Sequence, residues 1–440
     1  MGTIKTTFSN NIDATGKLKE GSLGFSAGTS WQAVKTSDFT AVAGEGYFVD
    51  TTSGVITVTL PSSPSAGDYV VLKDYARTWG TNAVSIASAK FDGVAAQTPS
   101  FSTQGQTVTI VYMDGTKGWS LVNEDTTTGL GATFISATGG TVTESGDYKI
   151  HTFTGDGCFV VSQTGNPAGS NSVDYLVVAG GGGGGSNGGG GGGAGGFRLS
   201  NSTCMPAPLT SPLATPTSIP VSAATYPVTV GGGGAGGTTS PSGADGSNSV
   251  LSTITSTGGG GGGGTQPGNR PGRNGGSAGG GTYVCNSPGG TGNTPPVSPP
   301  QGQNGGAGFN PAPVAPGLHA GGGGGASVVG GPGNNPTGGP GGNGSYIISS
   351  GFAGCNGTPG PICGARYFSG GGAGSPGDTT SSGPAPGGVG GGGPGTINGS
   401  PTPSRDATAN TGGGGGGGSG GPTCGGAGGS GIVIIRYKYQ

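Results

Sequence analysis

The stretch Asp174-Tyr-Leu-Val-Val-Ala-Gly-Gly-Gly-Gly-Gly-Gly185 carries an apolar strand straight into a run of glycines. Near the other end of the chain, Gly428-Gly-Ser-Gly-Ile-Val-Ile-Ile-Arg-Tyr437 reverses the order, glycines first and strand last. Between them lie further glycine runs at 188–193, 231–234, 258–264, 321–325, 390–393 and 412–418. Ordering such runs costs more backbone entropy than ordering any other sequence, so a fold that contains them needs a compensating interaction. Consecutive glycines can adopt the extended left-handed helix of three residues per turn. Unlike prolines they keep an N–H with which to bond sideways. The reading is a bundle of polyglycine II helices, with a flexible glycine linker as the alternative. The closing Ile-Val-Ile-Ile favours the bundle, because a disordered linker has no need of it. Collagen is excluded, since it requires glycine at every third position with side chains between.

Working outward, 113 of the 440 residues are Gly and 33 are Pro, which excludes an ordinary all-α protein. The glycines are unevenly placed: residues 1–178 hold 23 Gly and 24 charged residues, and residues 179–440 hold 90 Gly and 10 charged residues. The expected organisation is an extended attachment arm over 1–45, a β-module over 46–125, a smaller β-module over 132–178, and the glycine-rich polyglycine II domain over 179–440. The fold class is all-β, small sandwiches followed by the glycine-helix bundle, with little or no α-helix. In the first module, Gly54-Val-Ile-Thr-Val-Thr-Leu60, Asp68-Tyr-Val-Val-Leu-Lys73 and Thr107-Val-Thr-Ile-Val-Tyr112 are strands, and Asp114-Gly115 sets a hairpin turn. The second module reads as a compact antiparallel unit, from Phe134-Ile135 to Asp174-Tyr-Leu-Val-Val178.

Charge and motifs exclude more than they assign. No dense basic field exists, so nucleic acid is not an expected partner. The opening MGTIKTTFSN lacks the apolar core of a secretory signal, and no apolar run reaches the length of a membrane span. A chain that is not exported by that route and not inserted in a membrane is the expectation. Six cysteines (158, 204, 285, 355, 363, 424) form no CxxC pair and read as buried free thiols, so no metal is expected. No carboxylate pair, P-loop lysine or His-centred constellation marks catalysis, and neither an enzyme nor a cofactor is expected.

The two quoted border segments resemble the boundary signatures of the glycine-rich domain of tailed-phage fibre and virion structural proteins. The segment Ala137-Thr-Gly-Gly-Thr-Val-Thr-Glu-Ser-Gly-Asp-Tyr-Lys-Ile-His-Thr-Phe153 is similar to the β-module that precedes that domain in marine and cyanobacterial phages. The resemblance implies a tail fibre or receptor-binding adhesin, trimeric, joined to other virion proteins through its N-terminal part. Its host receptor would be a surface glycan or an outer-membrane protein. A non-adhesive head fibre or capsid decoration protein is the alternative. Aromatic and Arg side chains in connections are common recognition anchors, which selects Tyr283, Phe309, His319, Tyr346, Phe352, Arg366, Tyr367 and Phe368. Tyr367 and Phe368 are equally suited to capping a thin core.

Overall fold

The computed structural model describes residues 28–88, 90–96, 98–122, 133–166, 169–200, 211–239, 241–310, 317–333, 337–377, 384–397, 405–420 and 423–440. They fall into two compact units, one reaching to Thr133 and including Asn166, the other comprising Phe134–Gly165 and Gly169–Gln440. Most of the expected arm, residues 1–27, lies outside the described residues.

The strands of the first unit are β1 (Ser30–Lys35), β2 (Phe39–Thr40), β3 (Glu45–Val49), β4 (Ile56–Thr59), β5 (Tyr69–Asp74), β6 (Val84–Ala87), β7 (Lys90–Phe91), β8 (Val94–Ala95), β9 (Ser100–Phe101), β10 (Thr107–Asp114) and β11 (Gly118–Leu121). They form two sheets, ordered β1-β3-β5-β10-β11-β7-β8 and β2-β4-β6-β9. The chain begins by alternating between the sheets, so β1, β3 and β5 pair in parallel in one while β2, β4 and β6 pair in parallel in the other. The unit is thus a short parallel coil, closed by the antiparallel hairpin β10–β11 that Asp114-Gly115 turns. Period-two alternation assigns faces but not partners, so the parallel winding is not readable from the strands themselves. Val49, Val58, Leu72, Trp79, Ile86, Phe101 and Ile110 fill the space between the sheets. Residues 30–40, assigned to the arm by sequence, belong to this body, because β1 pairs along β3 and β2 along β4.

The second unit contains β12 (Ser136–Thr138), β13 (Thr141–Ser145), β14 (Tyr148–Phe153), β15 (Gly157–Gln163), β16 (Ser172–Val178), β17 (Phe197–Ser200), β18 (Ala214–Thr215), β19 (Ile219–Pro220), β20 (Ala224–Thr229), β21 (Ser249–Leu251), β22 (Ile254–Ser256), β23 (Ser345–Ile348), β24 (Ala365–Phe368) and β25 (Ile432–Lys438). One sheet runs β12-β15-β20-β21-β22 and the other β13-β14-β25-β16-β17-β18. The closing strand β25 lies between β14 and β16, antiparallel to both. Its successive residues face two cores. Val433, Ile435 and Tyr437 pack with Phe159, Tyr175 and Val228 between the sheets, while Ile432 and Ile434 pack with Leu176, Phe197, Ile347, Phe352 and Phe368 on the outer face. A strand covered on both faces reads as a continuous apolar run, which accounts for Ile-Val-Ile-Ile. The boundary expected at residue 178 is therefore absent: the strands of 134–178 share both cores with the glycine-rich chain and form one body with it.

Strands β16, β20 and β22 run on into glycine segments, and others lead back into β17, β21 and β25. Gly180–Gly185 shows the packing. The N–H groups of Gly180 and Gly183 donate to Ser247 and Ala244, those of Gly181 and Gly184 to Gly429 and Gly426, and those of Gly182 and Gly185 to Gly193 and Gly190, all at 2.8–3.0 Å. Each donor direction recurs every third residue, as three residues per turn require. The carbonyls follow the same rhythm, accepting from Gly259 and Gly262, from Gly234 and Gly237, and from Gly415 and Gly418. One helix thus has six neighbours, three antiparallel through its donors and three parallel through its acceptors. Cβ atoms on Gly180–Gly185 would press into the carbonyl oxygens of Gly232, Gly413, Gly260, Ala235, Gly416 and Gly263 in turn. Bonding of both the N–H and the C=O of every peptide from Gly180 to Gly185 offsets the entropy of ordering them, and only hydrogen fits between these backbones.

Of the cysteines, Cys158, Cys285, Cys355, Cys363 and Cys424 are free and exposed, correcting the expectation of buried thiols. Cys158 alternates with inward-facing Phe159 on β15, and the others lie in connections; Cys204 lies outside the described residues.

Candidate functional site

The side chains selected from the glycine-rich part fall into two groups, one packed with Ile432 and Ile434 of β25 and the other around Tyr283. At the end beside the sandwich, β23 and β24 form an antiparallel pair with Tyr346 opposite Tyr367 and Ile347 opposite Arg366. The Tyr346 and Tyr367 ring centroids are 5.3 Å apart. Phe352 is 1% exposed, Phe368 0% and Tyr367 6%. These three are corrected from surface contacts to core elements. Glycine helices contribute no side chains, so the few large apolar ones nearby are consumed in sealing the outer face of β16 and β25. Tyr346 and Arg366 remain half-buried on the hairpin.

A buried ion pair holds this end together. Arg436 Nη2 of β25 donates to Asp174 Oδ2 of β16 at 2.6 Å, with both side chains 4% exposed. The guanidinium lies 4.6 Å from the Tyr148 ring centroid and 4.4 Å from that of Phe352, a cation–π sandwich. Its Nη1 reaches the Gly351 carbonyl at 3.4 Å, where the turn Ser349–Ala353 passes through a left-handed glycine. Arg436 thereby fixes the turn against β13 and β14 and defines a groove of about 590 Å³. Thr141, Thr143, Thr152 and Asn356 line it, with Ile150 and Phe352 behind them. The lone charge in Ile-Val-Ile-Ile-Arg-Tyr is the sequence signal for this residue; its partner across 262 positions carried none.

The far end of the bundle gathers the remaining residues. Asn187 N–H donates to the Thr423 carbonyl at 3.2 Å, and its side-chain amide donates to Thr265 Oγ1 at 3.4 Å. Thr396 Oγ1 accepts from the Ser419 N–H at 2.9 Å, while Ser375 Oγ donates to the Thr396 carbonyl at 3.0 Å. Tyr283 is half-buried, its ring lying where a Cβ on Gly188 or Gly377 would fall, and burial raises its phenol pKa. Phe309 and His319 exchange backbone hydrogen bonds of 2.7 and 3.0 Å, and His319 bridges on to Pro376. Phe309 is 40% exposed, whereas His319 is 1% exposed and is corrected from a surface contact to a buried residue of this end. Arg270 Nη1 reaches Cys285 Sγ at 3.3 Å beside Tyr283. An Arg, a Tyr and an exposed Phe thus stand on connections whose backbones are tied to one lattice. Sequence alone could not separate this trio from the hairpin group, because the division follows helix direction.

Among the described residues no cluster of three His, Cys, Asp or Glu could hold a metal ion, and no helix is long and apolar enough to cross a membrane. Residues 154–438 match the model of a family described as a glycine-rich domain. No curated protein matches the chain.

Proposed function

The chain belongs to the glycine-rich domain family, and on that premise we propose that it is a fibre protein of a tailed-phage virion. In this reading it attaches to the tail through its N-terminal part, assembles as a homotrimer and adsorbs to a host-surface receptor by binding, without catalysis. One observation carries the reading most directly: the glycine lattice, with buried Thr282, Ser375 and Thr396 hydrogen-bonded beneath, fixes the half-buried Asn187, Thr265 and Thr423 at one end of the bundle beside Tyr283 and Phe309. Recognition is strengthened when contact side chains are pre-organised, because less conformational entropy is lost on binding. Particles carrying the double substitution Tyr283→Ser, Phe309→Ser should adsorb to host cells at least about tenfold more slowly, as expected for loss of anchor residues. Thermal unfolding of the purified variant serves as the control for folding. Unchanged adsorption by a folded variant would support the second reading, a structural fibre or decoration protein. The burial of Phe352, Phe368, Tyr367 and His319 favours that reading, since those side chains serve the fold.

A further inference from the structure

The first unit carries a pocket that the fibre reading does not use. It opens where the chain leaves β4, passes β7 and turns between β10 and β11, and it has a volume of about 500 Å³. That size is in the range of small-molecule sites, roughly 300–1,000 Å³. Its apolar walls are Leu60, Pro61 and Pro64 on one side and the Tyr112–Trp119 pair on the other, whose rings meet edge to face at 5.5 Å. Lys90 supplies the charge at its rim, with Nζ held 3.1 Å from the Gly115 carbonyl. No carboxylate is among the lining residues. The nearby Asp114 turns its Oδ1 to the N–H groups of Thr116 and Lys117 at 2.8 and 2.6 Å, so its charge serves the hairpin turn. Ser88 lines the pocket as well, and its Oγ is buried without a hydrogen-bond partner among the described residues.

Apolar walls, aromatic rings, several hydroxyls and one cation, whose field the carboxylate of Asp114 offsets in part from outside the lining, describe a site for a ring with an apolar face, polar substituents and one negative charge. We propose that this pocket binds an acidic sugar, a pyranose bearing a carboxylate. The ring packs between Pro61 and the Tyr112–Trp119 pair, and its carboxylate meets Lys90 Nζ. The site is independent of the end face of the bundle and of the virion reading. It would bind equally in a protein of another role.

The purified full-length chain titrated with sodium D-galacturonate, D-galactose and sodium benzoate tests this by calorimetry and by amide shift mapping. Galacturonate should bind about tenfold more tightly than galactose, the discrimination expected of roughly 1.4 kcal/mol from one charge contact. The preference should shrink at high salt, as expected of an exposed charge contact. Lys90→Met should erase the preference, and Lys90→Arg should keep it. Shifts should centre on residues 59–64 and 112–119. Equal binding of the two sugars, an unaltered preference in the folded Lys90→Met chain, benzoate binding more tightly than galacturonate, or shifts confined to the glycine-rich part would each overturn the proposal.

Discussion

Asp174 and Arg436 face each other across neighbouring strands where almost every other side chain is apolar. Removing one member of a buried pair leaves the other charge desolvated, at about 3–5 kcal/mol. Asp174→Ala should lower stability by that amount, read as a shift of the urea midpoint, and should free the turn that Arg436 pins at Gly351. His151 makes a second prediction at this scale. Its ring is fully buried, with Nδ1 2.7 Å from the Gly139 carbonyl and Nε2 3.1 Å from the Tyr437 hydroxyl. Burial lowers its pKa, the Gly139 carbonyl partly counters that, and Lys149 adds to it, while burial pushes the Tyr437 phenol up to about 12. The folded protein therefore holds His151 neutral at pH values where the unfolded chain already binds a proton. Its contribution is intact above the unfolded value of about 6.5 and is lost as pH falls from there through the lowered folded value. Stability should decline by up to about 1.4 kcal/mol per pH unit in that window. His151→Gln should flatten the decline when urea midpoints are compared at pH 7.5 and 5.

A glycine helix in the interior and one at the surface of the bundle differ sharply in tolerance. A Cβ on Gly182 would fall against the Gly260 carbonyl, whereas a Cβ on Gly232 meets nothing within 4 Å. Gly182→Ala should destabilise by about 3 kcal/mol or more through forced separation of two backbones. Gly232→Ala should be neutral or stabilising by up to about 1 kcal/mol, because it reduces the freedom of the unfolded chain without a clash. Calorimetric melting of the two variants checks both outcomes, and equal effects would contradict the lattice. The same reasoning separates the parts of each element that were legible from those that were not. Ile432–Lys438 announces a strand by its composition, and its double-sided burial explains why no residue alternates with polar ones until Arg436. That it inserts between β14 and β16 depends on strands more than 250 positions away, which no local pattern encodes.

Across the whole molecule, composition separated two kinds of chain, but the fold divides them elsewhere. The drop in charge after residue 178 marks where side chains give way to backbone as the source of cohesion; β14 and β16 nevertheless belong with the glycines because β25 lies between them. The selected aromatic residues divided by the same logic, some into the core beside the sandwich, others to the far face with Arg270. The sequence by itself pointed to the glycine lattice over a flexible linker, since backbones bonded to six neighbours leave room for little beyond hydrogen at most positions and a small methyl at a few, such as Ala194 and Ala278. It also determined the strand borders, through their apolar runs. The parallel coil of the first unit, the insertion of β25 and the pairing of Arg436 with Asp174 were decided by tertiary structure alone. Local pattern fixes which face a side chain takes, while the partner across the sheet is chosen by long-range packing.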